Sequence, residues 1–183
     1  MIPGSLAKRY SRALFEIATT AAQRDRFLQS LAEFVTACKT RDPSGHNLMA
    51  VLASGQHTLT NRRAVLGAVL QRTNADPTVV RFLQLVLQRG RIAGIEQIYL
   101  HFRDLADESA NRIRATVKTA ARLEPGADKR IQAALESATG KTVLLSVEED
   151  PELIGGLVAH VGSFTLDRSV RTSLERLRIT LRH

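Results

Sequence analysis

The chain has 183 residues, 44% of them hydrophobic and 24% charged, a balance that excludes wholesale disorder and is typical of one or two globular domains. Its formal net charge is +8, and residues 1–105 carry 14 basic and 7 acidic side chains, which favours acidic partners. Cys38 is the only cysteine, so an intrachain disulfide and a multi-cysteine zinc site are excluded. We find no apolar run long enough to span a bilayer and no signal peptide, so we expect a reduced, cytoplasmic protein.

Apolar side chains recur every three or four positions from residue 6 to about residue 106, a period that predicts helices. The first helix is predicted from one stripe of apolar positions: Leu6, Tyr10, Ala13, Leu14, Ile17 and Ala21. Residues 27–38 predict a second helix, residues 48–53 a short third one, and Thr60 is the expected N-cap of the fourth.

The fifth helix has the clearest start and end signals. Asp76 followed by Pro77 is typical of an N-cap and first turn, and Gly90 is expected to end the helix in a left-handed conformation. Residues 95–105 repeat the helical period and predict a sixth helix. Because the connections are short, we predict an antiparallel six-helix bundle over residues 1–108.

Beyond residue 111 the pattern changes to one of strands and a helix. Residues 113–118 alternate in polarity and predict a strand, and further strands are predicted over residues 142–147, 157–161 and 164–166. A helix around residues 131–138 is expected to stop at Gly140, the acidic residues 148–150 to form a turn, and Ser169 to cap a final helix. The fold class is therefore α+β, with a small C-terminal α+β domain over residues 109–183.

No pattern in the sequence predicts catalysis. The five histidines are scattered, and the phosphate-loop, zinc-protease and serine-hydrolase motifs are absent. Cys38 lies on an apolar stripe and is expected to be buried and inert. A metal at four neighbouring carboxylates is a weaker interpretation than a solvated turn; these are Glu148, Glu149, Asp150 and Glu152. We expect no catalytic residue, no metal and no cofactor.

The first and fifth helices carry more apolar side chains than one core-facing stripe needs. On a helical wheel Phe15 falls about 140° from Tyr10, and Phe82 and Leu85 fall outside the arc shared by the other apolar residues of their helix. Two interpretations stay open. Either both helices are covered on two sides inside the bundle, or they form a groove for an amphipathic helix of a partner.

The most distinctive segment, residues 153–177, reads LIGGLVAHVGSFTLDRSVRTSLERL. It resembles the C-terminal signature of the delta subunits of F-type ATP synthases, the family of the oligomycin-sensitivity-conferring protein. Residues 7–15, AKRYSRALF, are similar to the first helix of that family, and residues 89–92, RGRI, to its turn between helices five and six. Arg168 departs from the pattern, since the family commonly has glycine there, and a left-handed backbone at this position would be strained by arginine.

The resemblance implies a non-catalytic stator subunit that links the alpha/beta catalytic head to the peripheral-stalk b subunits, so that proton-driven torque makes ATP. It implies a peripheral position at the cytoplasmic face of the bacterial cell membrane. The N-terminal helices of alpha subunits would bind Tyr10, Ala13, Leu14 and Leu85, and the helical wheel adds Ile17 and Phe82. A core role is the favoured alternative for Leu14 and Ile17, which lie in the middle of the apolar stripe.

For the b subunits, the resemblance directs attention to the last helix, where we select Leu174, Leu177, Arg178 and Leu181. The signature residues are expected to shape the fold: Gly155, Gly156, Gly162, Asp167 and Ser169. A rival interpretation is a basic helical protein that binds nucleic acid, with an affinity that falls steeply as salt rises. A small enzyme built around the acidic turn and His160 ranks last.

Overall fold

The computed structural model describes residues 4–40, 47–120, 126–151, 153–162, 164–172 and 174, and for Arg168 the backbone alone. These residues form an α+β protein with a four-stranded mixed sheet. The chain divides into two compact units, Met1–Ala110 and Asn111–His183, which are described separately.

The first unit is helical. Its helices are α1 (Gly4–Ile17), α2 (Ala21–Lys39), α3 (Leu48–Ala53), α4 (Leu59–Arg72), α5 (Pro77–Gln88) and α6 (Ile95–Ser109), with a 3₁₀ turn at Ile92–Gly94. Every helix contributes to one apolar core, and its largest fully buried side chains include Phe34, Phe102, Leu14, Leu31, Leu52, Leu66 and Leu83. The predicted helical character of this half is confirmed.

Two helix starts in this unit differ from the prediction. The cap of α4 is Thr58 rather than Thr60, because the Thr58 hydroxyl accepts the backbone N–H of Asn61 at 3.3 Å. Ala21 begins α2 and does not continue α1. The chain breaks there because Thr20 and Gln23 form a capping box, in which each side chain accepts the backbone N–H of the other residue.

The predicted signals of α5 are confirmed. The Asp76 carboxylate accepts the N–H of Thr78 at 2.8 Å, and Pro77 occupies the first turn, where its missing N–H costs nothing. Gly90 follows the helix with a φ of +67°, a conformation that glycine adopts without strain.

The second unit is a sheet covered on one face by a helix. Its elements are β1 (Arg112–Thr119), α7 (Ala127–Thr139), β2 (Thr142–Glu149), β3 (Gly156–Val161) and β4 (Phe164–Ser169). The strand order is β2-β1-β3-β4, with β1 and β2 parallel and the other two pairs antiparallel. Ile131 and Leu135 of α7 pack against the small core, which consists of Ala115, Val117, Val143, Ala159 and Val161.

Two expectations in this unit are corrected by the strand register. Glu148 and Glu149 do not form the turn, because β2 continues through them and they pair with Lys118 and Thr119 of β1. Arg168 occupies a strand position in β4 and pairs with Leu157, so its backbone is extended and needs no left-handed conformation. The arginine at this position therefore carries no strain from a positive φ.

Candidate partner-binding site

Helix α1 has one buried line of residues and two exposed flanks. Ala7, Ser11 and Leu14 are fully buried and point into the core of the first unit. Because successive residues turn by 100° about the helix axis, this line separates Tyr10, Ala13 and Ile17 on one flank from Lys8, Arg12 and Phe15 on the other. The two flanks therefore face different neighbours.

The first flank meets α5 through an aromatic pair. The rings of Tyr10 and Phe82 pack edge to face, with their centroids 6.3 Å apart and their planes at 69°. Arg91, just beyond α5, donates a hydrogen bond from Nη1 to the Tyr10 hydroxyl at 2.9 Å, and its guanidinium lies 5.7 Å from the centre of that ring. Such contacts hold the tyrosine in one orientation.

Apolar side chains that stay exposed lie on the two helices that form this aromatic pair. Ile17 is 58% exposed and Leu85 is 44% exposed, whereas Phe82 is only 9% exposed. Ala13 is also exposed and follows Tyr10 by three positions on the same flank of α1. Exposed apolar side chains therefore lie on the same flank of α1 as Tyr10 and one turn beyond Phe82 on α5, and such side chains are the chemistry that accepts the apolar face of a helix.

Leu14 and Ile17 have opposite environments, although a core role was the favoured alternative to partner binding for both. Leu14 is fully buried, so its core role is confirmed. The core role of Ile17 is wrong, because α1 ends at this residue and nothing in the described part of the chain covers more than half of its surface.

Arg91 is a residue whose role sequence reasoning missed. It belongs to the quoted segment RGRI, but nothing in the spacing connects it to Tyr10, which lies 81 positions earlier. Only the packing of α5 beside α1 brings the two side chains together.

The second flank of α1 meets α6 through another aromatic pair. Phe15 packs edge to face against Phe102, with centroids 6.3 Å apart and an interplanar angle of 65°, and the Arg24 guanidinium lies 4.3 Å from the centre of the Phe15 ring. A cavity of about 520 Å³ opens beside this pair. The interpretation that α1 is covered on two sides inside the bundle therefore holds only in part for Phe15. This side chain is half-buried, and it also lines a groove.

In the second unit the signature residues make a compact turn between β4 and the helical residues that follow. Asp167 Oδ1 accepts the N–H of Ser169 at 2.8 Å, and its other oxygen accepts the Thr172 hydroxyl at 2.8 Å. Ser169 Oγ in turn accepts the N–H of Thr172 at 3.3 Å, which is the geometry of an N-cap.

The glycines of the signature lie at close approaches and at turns. A Cβ on Gly155 would come within 2.9 Å of Val170 Cγ2, so a larger residue there would force one of the two to move. Gly156, the first residue of β3, and Gly162, which follows β3, have positive φ values of 82° and 57°.

The candidate b-subunit residues are only partly described. Leu174 is helical and 58% exposed. Leu177, Arg178 and Leu181 lie outside the described residues.

The remaining chemical expectations concern a thiol, a metal and the membrane. Cys38 is buried, as predicted, and burial raises the pKa of its thiol to about 11. Within the described ranges, no group of three or more histidine, cysteine or acidic side chains is placed to hold a metal ion. Among the described helices, none combines the length and the apolar composition needed to cross a lipid bilayer.

Comparisons with known proteins agree along almost the whole chain. Residues 6–181 match the family model of the ATP synthase delta (OSCP) subunit. The ATP synthase subunit delta of a Geobacter species is 35% identical over 178 residues, which cover 97% of this chain and 96% of that protein. The corresponding subunit of Myxococcus xanthus is 35% identical over 184 residues, or 100% and 99% of the two chains.

One solved structure supports the fold. A chain in the cryo-EM structure of the Toxoplasma gondii mitochondrial ATP synthase hexamer superposes with a TM-score of 0.70 at 20% identity, over 97% of this chain and 98% of that one. At this identity the likeness shows the fold alone. None of the comparisons supports the nucleic-acid-binding alternative. The match to the family model and to relatives over nearly their whole length shows that the chain belongs to the ATP synthase delta (OSCP) family, whose members are stator subunits of the peripheral stalk.

Proposed function

We propose that this chain is a non-catalytic connector between the alpha/beta head of ATP synthase and the b subunits of the peripheral stalk. In this proposal residues 1–108 act as an antiparallel six-helix bundle that binds the head, and residues 109–183 bind the stalk. Membership of the delta (OSCP) family supports the connector role. The protein is held at the cytoplasmic face of the membrane through these partners.

The surface between α1 and α5 is the proposed site for an N-terminal helix of an alpha subunit. The observation that carries this proposal is the exposure of Ile17 and Leu85 on the same two helices that are joined by the ring pair of Tyr10 and Phe82. Ala13 has a small side chain, which lets the backbone of a docked helix come close to α1. Leu14 supports the site from below, since its side chain is wholly inside the core.

The exposed apolar area is enough to matter for binding. Full burial of a leucine or isoleucine side chain is worth about 1.5–3 kcal/mol. Because Ile17 and Leu85 are 58% and 44% exposed, covering both by a partner would contribute about 2 kcal/mol. The free energy gained by covering two apolar side chains changes little with salt concentration, unlike the free energy of binding to a nucleic acid.

The test is isothermal titration of the full chain with a synthetic peptide of the alpha subunit's N-terminal helix, and of the Ala13→Asp variant. Aspartate would place an unpaired carboxylate in the apolar surface, so we expect the affinity to fall roughly tenfold or more. Ala68→Asp is the matched control, because Ala68 is also an exposed alanine inside a helix but lies on α4. Its affinity should equal that of the wild type.

Two results would count against the proposal. Wild-type protein that is folded by circular dichroism and releases no heat with the peptide would remove the site. Equal losses in Ala13→Asp and Ala68→Asp would show that the first substitution acts through general charge and not through the groove.

For the stalk, we propose that the b subunits bind Leu174, Leu177, Arg178 and Leu181. Exposed apolar residues support a partner on the second unit, since Phe164 and Leu166 of β4, Val170 and Leu174 are all exposed. An apolar surface of this kind on a family of stator subunits is expected to be covered in the assembled complex.

A further inference from the structure

Strand β2 lies at one edge of the sheet and turns one row of its backbone groups outward. Within the described part of the chain it pairs with β1 alone. The N–H of Thr142 donates to the carbonyl of Asn111, just before β1, at 3.1 Å. Because successive residues of a strand point their backbone groups to opposite sides, Val143, Leu145 and Val147 present theirs to the free edge. An outward row of this kind is a template for a further strand.

Two side chains of α7 occupy the first position of this row. Glu136 Oε1 accepts the N–H of Val143 at 3.0 Å, and Gln132 Nε2 donates to the Val143 carbonyl at 3.0 Å. Gln132 also donates to Glu136 Oε1 at 3.3 Å, since the two residues are four positions apart on the helix. Together these two side chains, here called the edge cap, supply the acceptor and the donor that a residue of a neighbouring strand would supply.

The strand that the edge cap contacts has the composition of a segment that pairs with itself. Residues 142–147 read TVLLSV and contain no charged residue, no proline and no glycine. Short segments of this kind pair with copies of themselves when their edge is open. Val143 is fully buried, whereas Val147 is 40% exposed. The edge cap therefore covers one end of the outward row and leaves the other end open.

The charges that flank this segment fit an antiparallel pair of two copies. Lys141 precedes the segment and Glu149 ends β2, and both are exposed. In an antiparallel pair centred on Leu145, Val143 of one copy lies opposite Val147 of the other, and Lys141 lies opposite Glu149. Opposite charges and β-branched residues that face each other in this way stabilise a strand pair. Because each contact occurs twice about the centre, the occupant that fits this edge is a second copy of the chain.

We propose that the edge cap of Gln132 and Glu136 prevents two copies of this chain from joining their sheets through β2. The register centred on Leu145 needs the N–H and the carbonyl of Val143, and the edge cap holds both groups. An added strand must therefore displace two side-chain hydrogen bonds before it forms its own. The sheet unit stays monomeric for this reason, although its edge strand is suited to pairing.

The experiment removes the edge cap from the full chain and measures the mass in solution. Gln132→Ala/Glu136→Ala, the uncapped variant, keeps good helix formers in α7 and frees both backbone groups of Val143. Sedimentation velocity over a range of concentrations should give the mass of a monomer for the wild type and a mass approaching twice that value for the uncapped variant. The matched control is Gln29→Ala/Glu33→Ala, because Gln29 donates to Glu33 at 3.0 Å on α2 of the helical unit. This control should stay monomeric.

Charge changes in the uncapped variant test the register. Adding Lys141→Glu would place carboxylates opposite each other at both ends of the strand pair, and it should weaken the dimer roughly tenfold. Adding Lys141→Glu together with Glu149→Lys restores opposite charges, so the dimer should regain its affinity.

Three results would overturn the inference. Equal masses of the wild type and the folded uncapped variant, whether monomer or dimer, would show that the edge cap does not control pairing. A dimer that is unaffected by Lys141→Glu would exclude β2 as the contact. If circular dichroism shows that the uncapped variant does not fold, Gln132→Ala and Glu136→Ala decide as single variants. Each of them frees one backbone group of Val143, and monomers in both would overturn the role of the edge cap.

Discussion

Leu14 and Ile17 are three positions apart on α1, yet we expect their truncation to have opposite effects. Leu14 is fully buried, so Leu14→Ala removes core contacts and leaves a cavity. Such substitutions lower the free energy of unfolding by about 2–5 kcal/mol. Ile17 is 58% exposed, and Ile17→Ala should lower that free energy by about 1 kcal/mol or less.

The effects on peptide binding should be reversed. Covering the exposed part of Ile17 contributes about 1 kcal/mol to an interface, so Ile17→Ala should weaken the alpha-subunit peptide roughly fivefold. Leu14→Ala does not remove surface that a partner could touch. At a temperature where this variant is folded, its affinity should stay within about twofold of the wild type.

The chain offers a probe that reports on the first unit alone. It has no tryptophan and only two tyrosines, Tyr10 and Tyr99, and both belong to the helical unit. Urea unfolding followed by tyrosine fluorescence therefore measures the stability of that unit without interference from the sheet unit. A Leu14→Ala variant with unchanged stability and lost binding would refute the argument, since it would mean that Leu14 meets the partner directly.

Two further predictions concern the buried thiol and the glycine signature. Burial raises the pKa of Cys38 from its usual value of 9.0 to about 11, so the unfolded chain loses the thiol proton more readily than the folded protein does. The stability that the buried neutral thiol supports is therefore fully present below pH 9.0 and is lost as pH rises toward 11. Disulfide-exchange reagents at pH 8 should label Cys38 only at the rate of unfolding, and fast labelling of native protein would contradict its burial. Gly155→Ala should destabilise the sheet unit by about 1–3 kcal/mol, because the added Cβ would lie 2.9 Å from Val170 Cγ2. Thermal unfolding by circular dichroism should show partial recovery in Gly155→Ala/Val170→Ala, and equal loss in both variants would exclude this steric cause.

The sequence predicted the elements well wherever local chemistry decides them. Asp76 and Pro77 start α5 because a carboxylate and a proline suit a helix N-terminus whatever surrounds them. The prediction of Thr60 as the cap of α4 was wrong, because the helix already begins at Leu59 and the hydroxyl of Thr58 accepts the backbone N–H of Asn61. The end of β2 was also missed, since pairing with β1 outweighs the low strand preference of Glu148 and Glu149.

The candidate site was predictable only in part, for a related reason. The helical wheel correctly separates Phe15 from Tyr10, but it does not state which neighbour covers each flank. A core role was favoured for Ile17 over partner binding because it continues the apolar stripe, whereas the end of α1 leaves its side chain exposed. Exposure depends on where neighbouring helices end, which is a property of the tertiary structure and not of one helix.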